Sequence, residues 1–321
     1  MGMKRNLIVR IKRFYRGKTR RLCTLCINHL SPNRLYKHPT LVSYLWYGSQ
    51  KGYLPRLSSP RDFNEQLIAI NIEAFHDKNK RELRIRCADK FAVRDYIHSL
   101  GLSKILNDCF GVYDSFEEID FNLLPEQFVL KLTNGCGQNY ICKDKSTLDL
   151  NNLKSLFDTW MSKSNVFGLK TAEWHYSVIK PRIIAERYLS ILGEDTSLID
   201  FKFHCIHGRV TGILVCYDRD PKLHEANFDF YDTEWNLTDG IFPMYHKHQR
   251  IIPKPSSFDE MKCIAETISR GIDYVRVDLY EINGKPIFGE MTFTPAGNIM
   301  TRYQQWVLDN MLKFYNETKK D

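Results

Sequence analysis

An α+β fold with largely antiparallel sheets, two lobes behind a small basic helical segment, is what the sequence predicts, and three observations carry that expectation. Strand-like alternation recurs on both sides of short glycine-bearing turns at 128–142, 200–217 and 274–293, which is the pattern of hairpins. Amphipathic helices with readable starts and stops separate these stretches. The glycine loop at 133–137 joins strand to strand rather than strand to helix, so a parallel, doubly wound sheet is not indicated.

Residues 1–61 contain fourteen Lys and Arg and no Asp or Glu, whereas the rest of the chain holds 32 basic against 38 acidic residues. A strongly basic head therefore precedes a mildly acidic body. Leu7 to Leu30 reads as one or two basic amphipathic helices broken near Gly17 and stopped by Ser31-Pro32. The aromatic run from Tyr44 to Tyr53 is expected to pack against the main body, and no nucleic-acid motif accompanies it. A head of this charge suits an anionic membrane surface or a polyanionic polymer, each Lys or Arg contributing about 1 kcal/mol near such a surface.

Asn28 and His29 interrupt the apolar run that would make residues 1–30 a signal peptide, and no small-residue cleavage site follows. Nothing approaches the roughly 18 consecutive apolar residues of a membrane span. Nine cysteines in no regular framework fit free thiols and a cytoplasmic protein, peripheral to the membrane at most. Cys23-x-x-Cys26 reads as two helix thiols rather than a metal site.

Asp62 to His76 and Asp77 to Leu100 read as helices, the second ending at Gly101. Phe128 to Cys142 is a strand, a loop (Thr133-Asn134-Gly135-Cys136-Gly137) and a second strand. Its glycines let backbone amides approach phosphate oxygens, and Lys131, opposite the apolar Phe128, Leu130 and Leu132, needs an anionic partner. Asp149 to Lys163 is an amphipathic helix with Leu153, Leu156, Phe157, Trp160 and Met161 on one stripe. Ile183 to Leu189 is a strand ending on Glu186 that runs on as a linker between the lobes, a place where backbone groups can read a purine.

Asp200 to Tyr217 reads as a hairpin turning at His207-Gly208, with Lys202 and His204 on its polar face. Asp218 to Pro255 reads as a loop carrying His224, His246 and His248, whose spacing does not suggest a metal site. Ser257 and Glu260 form the pattern of a capping box for a helix that ends at Gly271. In the final hairpin, Val275, Val277 and Leu279 alternate against Ile287, Met291 and Phe293, which places both apolar rows at odd numbers. Paired residues must then sum to an even number, and a three-residue loop, Ile282-Asn283-Gly284, is the expected way to achieve it. Arg276, Asp278, Glu290 and Thr292 share the opposite face; if that face is buried, its two carboxylates and guanidinium call for a hard divalent cation carrying phosphate, and if it is half-exposed they are solvated.

Several ordered motifs resemble the TupA-like branch of the ATP-grasp enzymes: Asp89-Lys90-x-x-x-Arg94, Gly111-Val-Tyr-Asp-Ser, Phe128-Val-Leu-Lys131, Lys180-Pro-Arg-Ile-Ile-Ala-Glu186, Arg276-Val-Asp278-Leu-Tyr and Gly289-Glu290-Met-Thr-Phe293. The resemblance covers roughly Phe63 to Phe293. It implies an ATP-grasp fold divided as 1–61, 62–185 and 186–321, the last two clamping ATP. Lys90, Lys131 and the loop residues Gly135, Cys136 and Gly137 would contact the phosphates, and Glu186, Arg187, Tyr188 and Leu189 the nucleoside.

Asp278, Glu290 and Thr292 would bind Mg2+, Arg276 would hold the transferring phosphoryl group, and Lys202 would assist at the phosphate. Thr292 stands where most ATP-grasp enzymes carry Asn, and the loop departs from the Asn-His-Gly-Ser-Gly more usual in the branch. The implied function is an ATP- and Mg2+-dependent carboxylate-amine ligase of bacterial surface-polysaccharide synthesis, joining an amino acid or other amine to a uronate-type carboxylate on a polysaccharide precursor. A glycosyltransferase of the same pathway is the alternative, and a non-catalytic scaffold the third class.

Overall fold

Two antiparallel sheets frame the protein, whose computed structural model describes residues 2–164, 166, 168–190, 198–220, 225–245 and 251–319. Helices α1 (Gly2–His29), α2 (Pro32–Lys37), α3 (Pro39–Lys51), α4 (Phe63–His76), α5 (Lys78–Ala88) and α6 (Val93–Ser99) come first. Strands β1 (Cys109–Tyr113), β2 (Phe128–Leu132) and β3 (Asn139–Cys142) follow, then α7 (Leu150–Ser164), α8 (Trp174–Ser177) and β4 (Ile183–Arg187). The remainder is β5 (Asp200–Ile206), β6 (Arg209–Asp220), β7 (Glu225–Tyr231), β8 (Leu237–Thr238), α9 (Phe258–Ser269), β9 (Tyr274–Ile282), β10 (Lys285–Thr292) and α10 (Gln305–Thr318).

The first sheet has the order β1-β4-β2-β3 and the second β10-β9-β5-β6-β7-β8. This is the α+β, antiparallel architecture the hairpin pattern predicts. Helix α7 buries Leu153 and Phe157 against Phe128, Leu130, Leu132 and Ile183, so the other face of the first sheet presents Lys131 and Glu186. The second sheet lies between two helical layers. Phe201, Phe203, Val277 and Leu279 face α6 and α9, whereas Leu214, Phe230 and Tyr274 face α4 and α10. Although α4 and α6 precede the first sheet in sequence, they bury against the second.

Several local expectations need correction. Helix α1 runs through Gly17 unbroken. Nothing lies within 4 Å of where a Cβ would be, so the glycine costs only the propensity of about 1 kcal/mol, which a long packed helix absorbs. The segment 77–100 is two helices, because Asp89 Oδ1 accepts from the Phe91 and Ala92 N–H groups at 2.7 and 2.9 Å and ends one helix while starting the next. Leu156 is exposed, which narrows the buried stripe of α7.

The capping box at Ser257 does not form. Ser257 sits at φ −95°, ψ 15° instead of the extended conformation that turns its hydroxyl back to the helix, and its Oγ is buried without a partner. The stretch 218–255 contains strands as well as loop. In β7 both faces are buried, with Asn227 and Asp229 held by Asp218 and Tyr217, so polar residues mask the alternation that identifies a half-exposed strand. His224, His246 and His248 lie outside the described residues.

The final hairpin differs in one instructive way. Its turn is the two-residue loop Asn283-Gly284, both residues at positive φ, with Ile282 opposite Lys285. The extra residue enters at Gly289 instead. The register shifts between Phe288, opposite Leu279, and Glu290, opposite Asp278. Phe288 rather than Ile287 therefore joins the core, and the bulge restores the even-sum pairing beyond it.

Candidate active site

The bulge at Gly289 is what brings two acidic residues face to face. A Cβ there would approach Asp278 O to 2.9 Å, so the close passage of the two backbones depends on glycine. Past the bulge, Glu290 pairs with Asp278 and Thr292 with Arg276, so all four share one face as expected. β5 lies beside β9 with Lys202 opposite Asp278, adding a cation from the neighbouring strand.

Asp278 is 1% exposed and has cations on both oxygens. Arg276 Nε donates to Oδ1 and Nη2 to Oδ2, each at 2.7 Å, and Lys202 Nζ donates to Oδ2 at 2.5 Å. Burial opposes ionisation of this carboxyl, but Arg276 and then Lys202 outweigh it and hold its pKa at about 2. Lys202 also pairs with Asp200 at 3.0 Å, and Asp200 takes Arg219 in turn. The compensation that the sequence reading assigned to a metal is thus supplied by protein cations. Lys202, expected at the phosphate, is buried between two carboxylates and holds Asp278 in place.

Glu290 is different, because its side chain is 43% exposed. One oxygen, Oε1, accepts from Thr292 Oγ1 at 3.2 Å and from Arg276 Nη2 at 3.3 Å. Among the described residues no three His, Cys, Asp or Glu side chains gather as a metal site. The oxygen donors nevertheless fit Mg2+ in the form in which it is usually bound, by one or two carboxylates together with substrate phosphates. Glu290 presents the open carboxylate, with Thr292 beside it and Asp278 behind.

The first sheet supplies the opposite wall. The α5–α6 break aims Lys90 at the glycine loop: its N–H donates to Thr133 O at 2.9 Å and its Nζ to Gly135 O at 2.5 Å. Lys90 and Glu290 line one narrow cavity with Cys87, Val93, Tyr176 and Met291. Cys136, at the loop tip, feels the same wall, since desolvation and then the Glu290 charge push its thiol up. Gly137 takes φ +80°, which favours glycine at the turn into β3.

Lys131 Nζ donates to Glu186 Oε2 at 2.8 Å, while Arg94 approaches the other oxygen at 3.6 Å. The main chain of Arg187 is engaged within the protein, its N–H donating to Asp108 O at 3.0 Å and its C=O accepting from Asn107 at 2.9 Å. Tyr188 and Leu189 follow as half-buried residues beyond the strand. Lys90, Gly135, Cys136, Glu290 and Arg276 therefore converge on one cleft, and Lys131 and Glu186 form a second, largely covered cluster on the face of the first sheet away from α7.

Four participants were not singled out from sequence. Asp200 belongs to the Lys202 network, and its signal was the two-residue spacing to Lys202 on one strand face. Arg94 and Arg182 lie within motifs already noted, and Arg182 pairs with Asp89 at 3.3 Å. Glu173 had no local signal. It accepts from Thr171 Oγ1 at 2.6 Å and Thr294 Oγ1 at 3.0 Å, and burial pushes its carboxyl up to about 7 against those hydrogen bonds.

The family described as TupA-like ATPgrasp matches residues 70–312. Among solved structures, D-alanine–D-alanine ligase from Bacillus anthracis complexed with ATP is similar at 14% identity, with 73% of this chain and 68% of that chain covered and a TM-score of 0.44. The ATP-grasp ligase PsnB, complexed with a phosphomimetic variant of its minimal precursor, Mg and ADP, is 12% identical over 74% and 58% of the two chains at a TM-score of 0.38. An ATP-grasp RimK domain protein from Sphaerobacter thermophilus is 10% identical over 78% and 84% at a TM-score of 0.38. No curated protein matches the chain. Since the family match takes in most of the sequence, from the second turn of α4 to α10, the chain belongs to the TupA-like ATP-grasp family.

Proposed function

We propose that the protein is an ATP- and Mg2+-dependent ligase that joins a carboxylate to an amine, one partner belonging to a surface-polysaccharide precursor. The observation that carries this reading is the convergence of Lys90 and the glycine loop on Glu290 and Arg276 across one cleft. Cations from one wall and an open carboxylate from the other suit a polyphosphate bridged by a divalent ion. In this reading Mg2+ neutralises charge on the phosphate oxygens when bound. Glu290 and Thr292 would hold it, while Asp278 orients Arg276 and Lys202 fixes Asp278.

Lys90 and Lys131 bind phosphate oxygens, the amides of Cys136 and Gly137 cover them while Gly135, its own N–H on Leu132 O at 3.2 Å, lets the loop pass close, and the chain after Glu186 contacts the nucleoside. The substrate carboxylate attacks the terminal phosphorus, the bond to ADP breaks, and an acyl phosphate forms. The amine then attacks the acyl carbon, phosphate leaves, and a proton is released as the amide forms. Closure of the loop excludes water from the acyl phosphate, whose hydrolysis would waste the step. The polysaccharide setting rests on the family resemblance, and the acidic partner follows from the need for an activatable carboxylate.

Calorimetric titration of the full chain with ATP and Mg2+, beside Lys90→Ala and Glu290→Gln, tests the reading. ATP should bind, Lys90→Ala should weaken it about tenfold, a loss of about 1.4 kcal/mol, and Glu290→Gln should remove the Mg2+ dependence. Hydroxylamine should then trap an acyl hydroxamate with uronate candidates in wild type and not in Glu290→Gln. Binding of UDP-sugars in place of ATP would overturn the ligase reading in favour of glycosyl transfer.

A further inference from the structure

Helix α1 is attached to the protein along one side. Cys23 and Ile27 are buried, and the contact with α3 is close: a Cβ at Gly48 would come within 2.6 Å of Cys23 Sγ, and one at Gly52 within 2.9 Å of Arg16 O. At 3.6 residues per turn, Phe14 lies about half a turn around the helix from Cys23, and Leu25 nearly the same. Phe14, Leu22 and Leu25 accordingly point away from the body, 59%, 63% and 46% exposed, with Tyr15 at 64% beside them. Lys18 and Arg21 flank this stripe, Arg13, Arg16 and Arg20 are exposed on the sides of the helix nearer the body, and α1 contains no acidic residue. Lys18 Nζ sits 4.3 Å over the Phe14 ring, which places a cation at the stripe itself.

We propose that α1 docks the protein on an anionic lipid bilayer, lying in the plane of the headgroups with Phe14, Leu22 and Leu25 inserted and the surrounding Arg and Lys on lipid phosphates. Two needs must be met at once, removal of large apolar side chains from water and neutralisation of a dense positive field. An anionic bilayer meets both in one surface. A polyanionic polymer meets only the second and leaves the apolar stripe wet. A second copy of the chain meets only the first, because it would lay one all-basic helix against another. No helix among the described residues is long and apolar enough to cross a membrane, so surface docking is the mode that fits.

Docking would also orient the cleft. α1 rests on α3, and Trp46 of α3 donates its Nε1–H to Gly297 O at 2.7 Å, in the loop that follows β10. The helix at the bilayer and the strand bearing Glu290 are therefore joined through two contacts, α1 on α3 and Trp46 on Gly297.

Sedimentation of the full chain with phosphatidylcholine vesicles, with and without phosphatidylglycerol, tests the proposal. Binding should rise at least about tenfold with the anionic lipid and fall as salt shortens the screening length. The combined variant Phe14→Ser, Leu22→Ser, Leu25→Ser should lose about tenfold in binding to the anionic vesicles, and Lys18→Gln with Arg21→Gln should lose a comparable amount. All these positions are exposed, and an unchanged melting curve confirms that the fold is intact. Equal binding to both vesicle types would overturn the proposal. So would undiminished binding by the apolar variant, which would indicate a purely electrostatic surface, or self-association without lipid that this variant abolishes. ATP titration of the same samples reports separately on the ligase reading, and neither outcome depends on the other.

Discussion

Lys131 meets Glu186 at 2.8 Å on the four-stranded sheet, where the lysine keeps 30% of its side chain in water, whereas Lys202 meets Asp278 at 2.5 Å inside the six-stranded sheet, with Asp200, Arg276 and Arg219 closing the network around it. The two pairs look alike on a list of contacts and differ in what surrounds them. Water reaches Lys131, whereas Glu186, 11% exposed, is nearly enclosed, so Lys131 is the charge that can turn to a ligand at small cost. The second pair is shut off from water, and each charge exists there because its partner does. The protein therefore keeps its adaptable charges on the first sheet and at Glu290, and uses the buried ones to hold the hairpin in shape.

The largest effect that sharpens this contrast is expected from Asp278→Asn. It leaves Arg276 and Lys202 facing a neutral amide, and loss of one partner of a buried pair costs about 3 to 5 kcal/mol. Urea denaturation should show this loss near neutral pH. Because the folded pKa, about 2, lies below the ordinary value of 3.8, the stabilisation is present above that ordinary value and is lost as pH falls through about 2. Wild type and variant should converge in acid. A loss under about 1 kcal/mol at pH 7 would place Asp278 in the same class as Glu186 and break the comparison.

Glu173 is a carboxyl of the opposite kind, with burial raising its pKa from 4.5 to about 7. Folding then favours its neutral form, so the stability it contributes is full below pH 4.5 and declines as pH rises through 7. Glu173→Gln keeps an acceptor for Thr294 and removes the ionisation. It should stabilise the protein by about 2 kcal/mol at pH 8, with the gain vanishing toward pH 4.5, as thermal melts across that range would show. A pH-independent difference would mean that Glu173 is ionised throughout and hydrated.

Much of this arrangement was legible in the sequence. The even-sum rule for the last hairpin correctly required one extra residue, and the common face of Arg276, Asp278, Glu290 and Thr292 followed from it. Its location was not legible, because an Asn-Gly turn and a glycine six residues away from Asn283 are both acceptable places for the insertion. The loop residues 133–137 and Lys131 could be read because strand, glycines and strand are local. The pairing of Lys202 with Asp278 could not, since it depends on β5 lying beside β9, a contact across 76 residues. Glu173 depends on Thr294 from the far end of the chain, and no spacing in sequence records that.

Lys131→Ala completes the comparison as the smallest expected change in stability. Removing Lys131 does not orphan Glu186, because Arg94 stands 3.6 Å from its other oxygen and water can enter the space the lysine leaves. The loss should stay below about 1 kcal/mol, in the range of accessible ion pairs. Nucleotide binding offers the opposite expectation. If Lys131 exchanges Glu186 for a phosphate oxygen, its removal should weaken ATP about tenfold, and adding salt to the wild type should reproduce part of that loss. Urea denaturation and calorimetric titration of one preparation measure both quantities. A destabilisation as large as that of Asp278→Asn would show that Lys131 is a structural charge. Unchanged ATP affinity would remove the Lys131–Glu186 cluster from the proposed binding site and leave Lys90, at the α5–α6 break, as the cation beside the glycine loop.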